Sequence, residues 1–235
     1  MPTRILIGLF LVVISAPALA DFSGKGELGI VVARGNSDTE TGNVRLELNY
    51  QHERWSNESI FNAVHARDSG ETNNSRWVLS NKTDYNLSEV SYLVGALRYD
   101  RDRFSAFRYQ STVAVGYGRR LVATDSHRLK VELGPGFRFA RLRETDETEN
   151  EVIVRGFVDY RWQVSDTTQF TNRFLVESGD DNTFLENTLG LSVAVNSRIS
   201  LKTGFSVRHN TDVDPGRKKT DTLTTVNLVY NFGNE

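Results

Sequence analysis

The chain has 235 residues, 25% of them charged, with 28 basic against 30 acidic side chains and no cysteine. So even a balance argues against a nucleic-acid partner, and the missing thiols exclude a disulfide framework or a thiolate metal site. The length suits one folded domain, with neither a Pro/Ser linker nor a low-complexity tract.

Residues 1–20 read as a secretory signal peptide. Arg4 gives a positive start, Ile5 to Ile14 is apolar but too short for a helix across a bilayer, and Ala18-Leu19-Ala20 is an A-x-A site that places cleavage before Asp21. Loss of Arg4 leaves 27 basic against 30 acidic residues, a net charge of −3. Residues 21–235 form the remaining domain, which contains no apolar run near eighteen residues.

That domain is dominated by alternation with period two. In 151–164 the even positions are Val152, Val154, Gly156, Val158, Tyr160, Trp162 and Val164, while the odd ones include Glu151, Arg155, Asp159, Arg161 and Gln163. Side chains on a strand point to opposite faces in turn, so such a segment has one oily face and one wet face. The pattern predicts strands at 24–34, 40–52, 58–68, 73–86, 89–100, 107–121, 128–142, 151–164, 167–178, 182–195, 198–209 and 220–232. Turn chemistry falls between them at Gly35-Asn36-Ser37-Asp38, Ser69-Gly70-Glu71, Gly179-Asp180-Asp181 and Asp214-Pro215-Gly216. Each strand is long enough to cross an apolar layer on a tilt, for which roughly 9–11 residues suffice. The fold class is therefore all-β: one transmembrane antiparallel up-and-down barrel of about 12 strands, exported to the bacterial outer membrane, with both termini periplasmic. Strand parity sorts most segments, but the third is ambiguous, since Ile60, Phe61, Val64 and His65 do not separate cleanly.

With the N-terminus in the periplasm, even-numbered strands end at the periplasmic rim. Those ends carry Tyr50, Tyr85, Tyr117, Tyr160 with Trp162, and Tyr230 with Phe232, all on the outward parity. A row of outward aromatics is the girdle expected at a membrane interface.

The inward parity carries Arg45, Glu47, Lys82, Asp84, Lys130, Glu132, Arg138, Arg155, Asp159, Arg161, Arg173, Glu177, Glu186, Lys202 and Arg208. Nine are basic and six acidic, so an open lumen would carry a modest anion preference. The competing reading pairs these charges across strands and fills the barrel with salt bridges. Twelve strands lie between the small filled barrels and the wide porins, and arginines from opposite walls can meet in so narrow a tube, which favours a filled or nearly closed lumen. Gly116, Gly118, Gly134, Gly136 and Gly204 share the inward parity, where a missing side chain relieves crowding or lets the wall bend.

Gly35-Asn36-Ser37-Asp38, Tyr99-Asp100-Arg101-Asp102-Arg103-Phe104, Gly116-Tyr117-Gly118 and Leu133-Gly134-Pro135-Gly136-Phe137 occur in this order along the chain. Together they resemble a proteobacterial family of salt-induced outer membrane proteins, the domain of unknown function 481, over essentially the whole chain after residue 20. The resemblance implies a Gram-negative outer-membrane barrel linked to salt or osmotic stress, and it brings no catalytic residues. Outer-membrane barrels usually finish on an aromatic residue, whereas here Phe232 is followed by Gly233-Asn234-Glu235, which displaces the expected assembly signal.

The expected partners are outer-membrane lipid and lipopolysaccharide, the barrel-assembly machinery during biogenesis, and small ions or solutes if the lumen conducts. No cofactor is expected. Loop carboxylates (Glu144, Asp146, Glu147 and Glu149; Asp180 and Asp181; Asp212 and Asp214) have the oxygen chemistry for Ca²⁺ or Mg²⁺, and Arg217, Lys218 and Lys219 suit lipopolysaccharide phosphates. Solvated loop tips are the simpler reading, because no EF-hand spacing is present. An outer-membrane phospholipase also has twelve strands and needs a nucleophilic Ser beside a His at the outer leaflet. His65 with Ser69 and His209 with Thr211 are the nearest approximations, without a visible third partner, while His52 and His127 lie at periplasmic turns. The function expected is a narrow passive channel or envelope-stabilising barrel, with a lipid hydrolase as the alternative.

Overall fold

The computed structural model describes residues 21–33, 39–68, 71–103, 105, 107–213 and 218–233. The predicted leader at 1–20, the turn at 35–38, Ser69, Gly70, Phe104, Asp214 to Arg217 and the last two residues lie outside these.

Twelve strands account for all the regular structure described: β1 Asp21–Ala33, β2 Thr39–His52, β3 Trp55–Asp68, β4 Glu71–Asn86, β5 Ser91–Asp102, β6 Phe107–Ala123, β7 His127–Leu142, β8 Thr148–Gln163, β9 Thr168–Ser178, β10 Thr183–Ala194, β11 Ile199–Asn210 and β12 Thr220–Gly233. Each pairs antiparallel with its neighbours in sequence, and β1 pairs with β12 to close the barrel. Closure leaves no unpaired edge. The predicted strand edges agree to within three residues. The start of β1, the end of β12 and the short turns after β2, β4, β6, β8 and β10 lie at one end, here the terminal end; the odd strands run to the far end.

The two faces differ as the alternation requires. The outer face exposes Leu28, Ile30, Val115, Leu133, Val152, Val154 and Val195, each more than half exposed. The inner face buries Glu27, Glu47, Asp84, Asp100, Glu132, Arg138, Asp159 and Glu177, each at 8% exposure or less. Apolar outside and charged within is the inversion that a lipid solvent selects. β3 resolves once its partners are placed: Ile60 and Val64 are buried inward, while Phe61 and His65 face out. Apolar side chains on the inner face made that strand ambiguous in sequence.

Two rows of outward aromatics bracket the apolar belt. At the terminal end Tyr50, Tyr85, Tyr117, Tyr160, Trp162, Tyr230 and Phe232 are joined by Phe22 and Trp55, with Trp55 on Tyr85 at 4.8 Å and His127 donating to or accepting from the Tyr160 hydroxyl at 2.9 Å. At the far end Trp77, Tyr99 and Tyr109 stack in a line, 5.1 and 5.8 Å between centroids. Only the first row was expected from sequence. On β4 and β6 the rows are eight residues apart (Trp77 to Tyr85, Tyr109 to Tyr117). At ~3.3 Å per residue and a ~40° tilt this is roughly 20 Å of height. The belt holds one polar island: Asn57, Ser59, Asn81 and Thr83 face outward and hydrogen-bond to one another at 2.7–3.4 Å.

Three glycines show why no larger residue would serve. A Cβ on Gly134 would strike the backbone of Val115 and Gly116 where β6 and β7 approach closely. Gly118 lies under the Tyr92 ring, and outward-facing Gly24 lies under Phe232, which covers the β1–β12 seam.

Candidate functional site

All fifteen predicted inner residues point into the barrel, where eleven of them join four ion-pair clusters rather than lining an open bore. In the first, Glu27 on β1 receives Lys202 Nζ at 2.7 Å, Arg45 Nε at 3.5 Å and the Asn227 amide at 3.1 Å. Arg45 also reaches Glu47 at 3.0 Å. In the second, Glu132 on β7 collects Lys82 at 2.7 Å, Arg155 at 3.1 Å and the Tyr92 hydroxyl at 3.1 Å. The Phe157 ring sits beneath, with Lys82, Arg155 and Arg173 all 5.1–5.4 Å from its centroid.

The other two clusters bridge the barrel. Arg173 on β9 donates to Glu58 on β3 at 2.5 Å, and lies 3.9 Å from Asp159, which Arg161 also holds at 3.3 Å. Arg208 on β11 meets Asp100 on β5 at 2.5 Å. In a twelve-stranded ring, β3 and β9, and β5 and β11, are six strands apart in either direction. Both ion pairs therefore run across a diameter. Around Asp100 the second bridge widens: Arg76 approaches at 3.0 Å and Arg98 at 2.9 Å, while Glu186 on β10 takes Arg98 at 3.0 Å. Phe184, fully buried, lies below Arg98 and Arg208, 4.6 and 5.2 Å from its centroid. Charges taken out of water need partners this close, since an unpaired one is costly.

The far end is tied down over β6–β10. Arg138, 2% exposed, donates to the carbonyls of Asn182 at 3.1 Å and Glu177 at 2.8 Å and pairs with Glu151 at 3.1 Å. Thr112 donates to Glu177 at 3.2 Å, and Arg143 to the carbonyls of Asp102, Ser105 and Phe107. Between and below the bridges are cavities of about 370 and 310 Å³, and at the terminal end a vestibule of about 950 Å³. Of the predicted fifteen, Asp84 and Lys130 line that vestibule and make no ion pair with a described residue.

Sequence reasoning passed over inner bases such as Lys25, Arg76, Arg98 and Arg128 and inner acids such as Asp21, Glu27, Glu58, Asp100, Asp102, Glu151 and Asp221. The acids passed over offset the excess of positive charge expected from sequence. Parity alone could have found them.

Of the two hydroxyl–histidine pairs, His209 with Thr211 is not assembled. His65 is exposed on the outer face, and Ser69 lies outside the described residues. His209 meets Thr220 at 2.8 Å, whereas Thr211 turns to Asn182 and the Thr183 amide. Among the described residues no group of three or more His, Asp or Glu is placed to hold a metal ion. Asp146, of the loop after β7, has a left-handed backbone and is bound by Arg141 at 2.9 Å and Arg108 at 3.1 Å. The Arg141 hydrogen bond, then the neighbouring charges, hold its carboxyl below the usual aspartate range.

The profile of the family described as Protein of unknown function, DUF481, matches residues 26–232. The chain belongs to the DUF481 family. It is 24% identical to the Uncharacterized protein YdiY of Escherichia coli (strain K12), over 92% of this chain and 86% of that one. Among solved structures, the NanC porin superposes with a TM-score of 0.51 at 10% identity, over 89% of this chain and 97% of that one. The COG4313 outer membrane channel from Pseudomonas putida F1 gives 0.50 at 12% identity, over 91% and 95%. At such identities the likeness is one of fold: this DUF481 chain has the architecture of outer-membrane channels.

Proposed function

We propose that this DUF481 protein is an outer-membrane barrel acting as a narrow passive channel for small ions, closed at rest by the two ion pairs that cross its lumen. The observation that carries this is the meeting of Arg173 with Glu58 and of Arg208 with Asp100 across the full diameter. Arg173 lines both inner cavities, so parting of its pair with Glu58 would open one into the other. The apolar belt between two aromatic rows suits lipid, with lipopolysaccharide around the far end. Export by a leader cleaved after Ala20, insertion by the barrel-assembly machinery through β12, and periplasmic termini complete the reading, and a closed, charge-bridged lumen is compatible with a role in salt or osmotic stress.

Swelling of liposomes containing the purified protein tests the proposal. Slow permeation of small salts with exclusion of monosaccharides is expected, and sugar entry at the rate of a wide porin would overturn it. The same vesicles also check the hydrolase alternative. Fatty-acid release that disappears in His65→Ala would replace the channel reading.

A further inference from the structure

The vestibule at the terminal end has a charge that the ion-pair network leaves over. Among its lining residues, Glu47, Glu58 and Asp159 are held by arginines, and Lys82 by Glu132. Four bases on the same walls, Lys25, Arg128, Lys130 and Arg198, make no ion pair with a described residue, against two acids in the same condition, Asp21 and Asp84. The surplus is two positive charges. Arg128 and Arg198 are exposed at the mouth, so the space is reached from outside. Asp84 differs from the rest: it is 4% exposed, and its Oδ1 is buried with no hydrogen-bond partner. A buried carboxylate oxygen in that state calls for a donor.

We propose that the vestibule binds a small free oxyanion that carries two negative charges and one hydroxyl, the chemistry of hydrogen phosphate. Lys130, with Lys25, Arg128 and Arg198 nearer the mouth, meets the charge, and Asp84 accepts from the hydroxyl. That pairing of bases with an acceptor discriminates. Sulfate has the charge without the proton, and the phosphodiester of a lipid headgroup has one charge and no hydroxyl on phosphorus. Lys130 and Asp84 also lie on the inner face, behind the wall that lipid contacts. Binding does not require conduction, so a silent bilayer would leave this inference standing, and failure to bind would leave the channel reading standing.

The test is equilibrium titration of inorganic phosphate into the detergent-solubilised protein, at fixed ionic strength and a pH where the dianion predominates. Sulfate and dimethyl phosphate serve as comparison probes. Saturable phosphate binding is expected, weakened about tenfold by Lys130→Gln, the loss that follows removal of one charge-assisted contact. Sulfate should bind about tenfold more weakly than phosphate, with Asp84→Asn removing most of that difference. Arg198→Gln, which changes only an exposed side chain in the turn after β10, provides a folded variant of reduced affinity. Absence of saturable phosphate binding overturns the proposal. So does sulfate binding equal to phosphate, or dimethyl phosphate competing on equal terms.

Discussion

Asp100→Asn isolates the charge of the far bridge while keeping its shape. The wild-type carboxylate, 4% exposed, accepts from Arg76, Arg98 and Arg208 at 2.5–3.0 Å. The amide keeps one acceptor oxygen but turns an NH₂ toward guanidinium groups that cannot accept from it. Three arginines then share Glu186, at 3.7, 3.0 and 3.7 Å, with Asp102 adding support to Arg208 at 3.5 Å. Removing one partner of a buried pair costs about 3–5 kcal/mol, and the remaining acids set this case near the lower limit, ~3 kcal/mol. Urea unfolding in lipid vesicles reads the loss, because Trp55, Trp77 and Trp162 all sit on the lipid face and change emission on leaving it. Adding Arg208→Gln removes one orphaned charge and should restore about 1 kcal/mol, a coupling expected only between groups in contact. A loss below about 1 kcal/mol, or no recovery in the double variant, would refute the view that Asp100 holds the bridge together.

Three other outcomes follow from local geometry. Gly134→Val should yield no folded species on a heat-modifiability gel, since its Cβ would overlap the β6 backbone, whereas Gly42→Ala, with nothing within 4 Å, should fold normally. Phe232→Ala uncovers Gly24 and should lower unfolding stability by about 1 kcal/mol, the size of a cross-strand aromatic contact, with earlier proteolysis near β1 and β12. The Asp146–Arg141 contact should respond to pH in a fixed direction: because the carboxyl is depressed, the contact is complete above the ordinary aspartate range and is lost as pH falls through the lowered value. Carboxyl chemical shifts that titrate at or above the ordinary value would contradict the contact.

The wall of the barrel was legible because one residue type after another obeys a period of two, and Val152, Val154 and Tyr160 fall outward as written. The first girdle followed from the same parity. Its limits are physical. Ile60, Val64, Ile153, Phe157 and Phe184 are apolar yet face inward, where several support arginine heads, so hydropathy alone misassigns them. Asn57, Ser59, Asn81 and Thr83 break the rule in the opposite sense by satisfying one another on the lipid side. That arginines could meet across so narrow a tube was legible, but which residues bridge it was not. That β3 faces β9 and β5 faces β11 depends on closure, and the level at which Arg173 finds Glu58 depends on accumulated register, neither of which a strand pattern contains.

The most direct measurement is single-channel conductance in planar bilayers of the wild-type protein beside the Glu58→Ala/Arg173→Ala double variant, which removes both ends of one bridge and leaves no orphaned partner on that diameter. The account predicts silence or brief, small steps from the wild type and more frequent steps from the double variant, in which only the Arg208–Asp100 bridge still has to part. Steady porin-sized steps from the wild type, or an unchanged trace from a double variant shown to be folded and inserted, would contradict it.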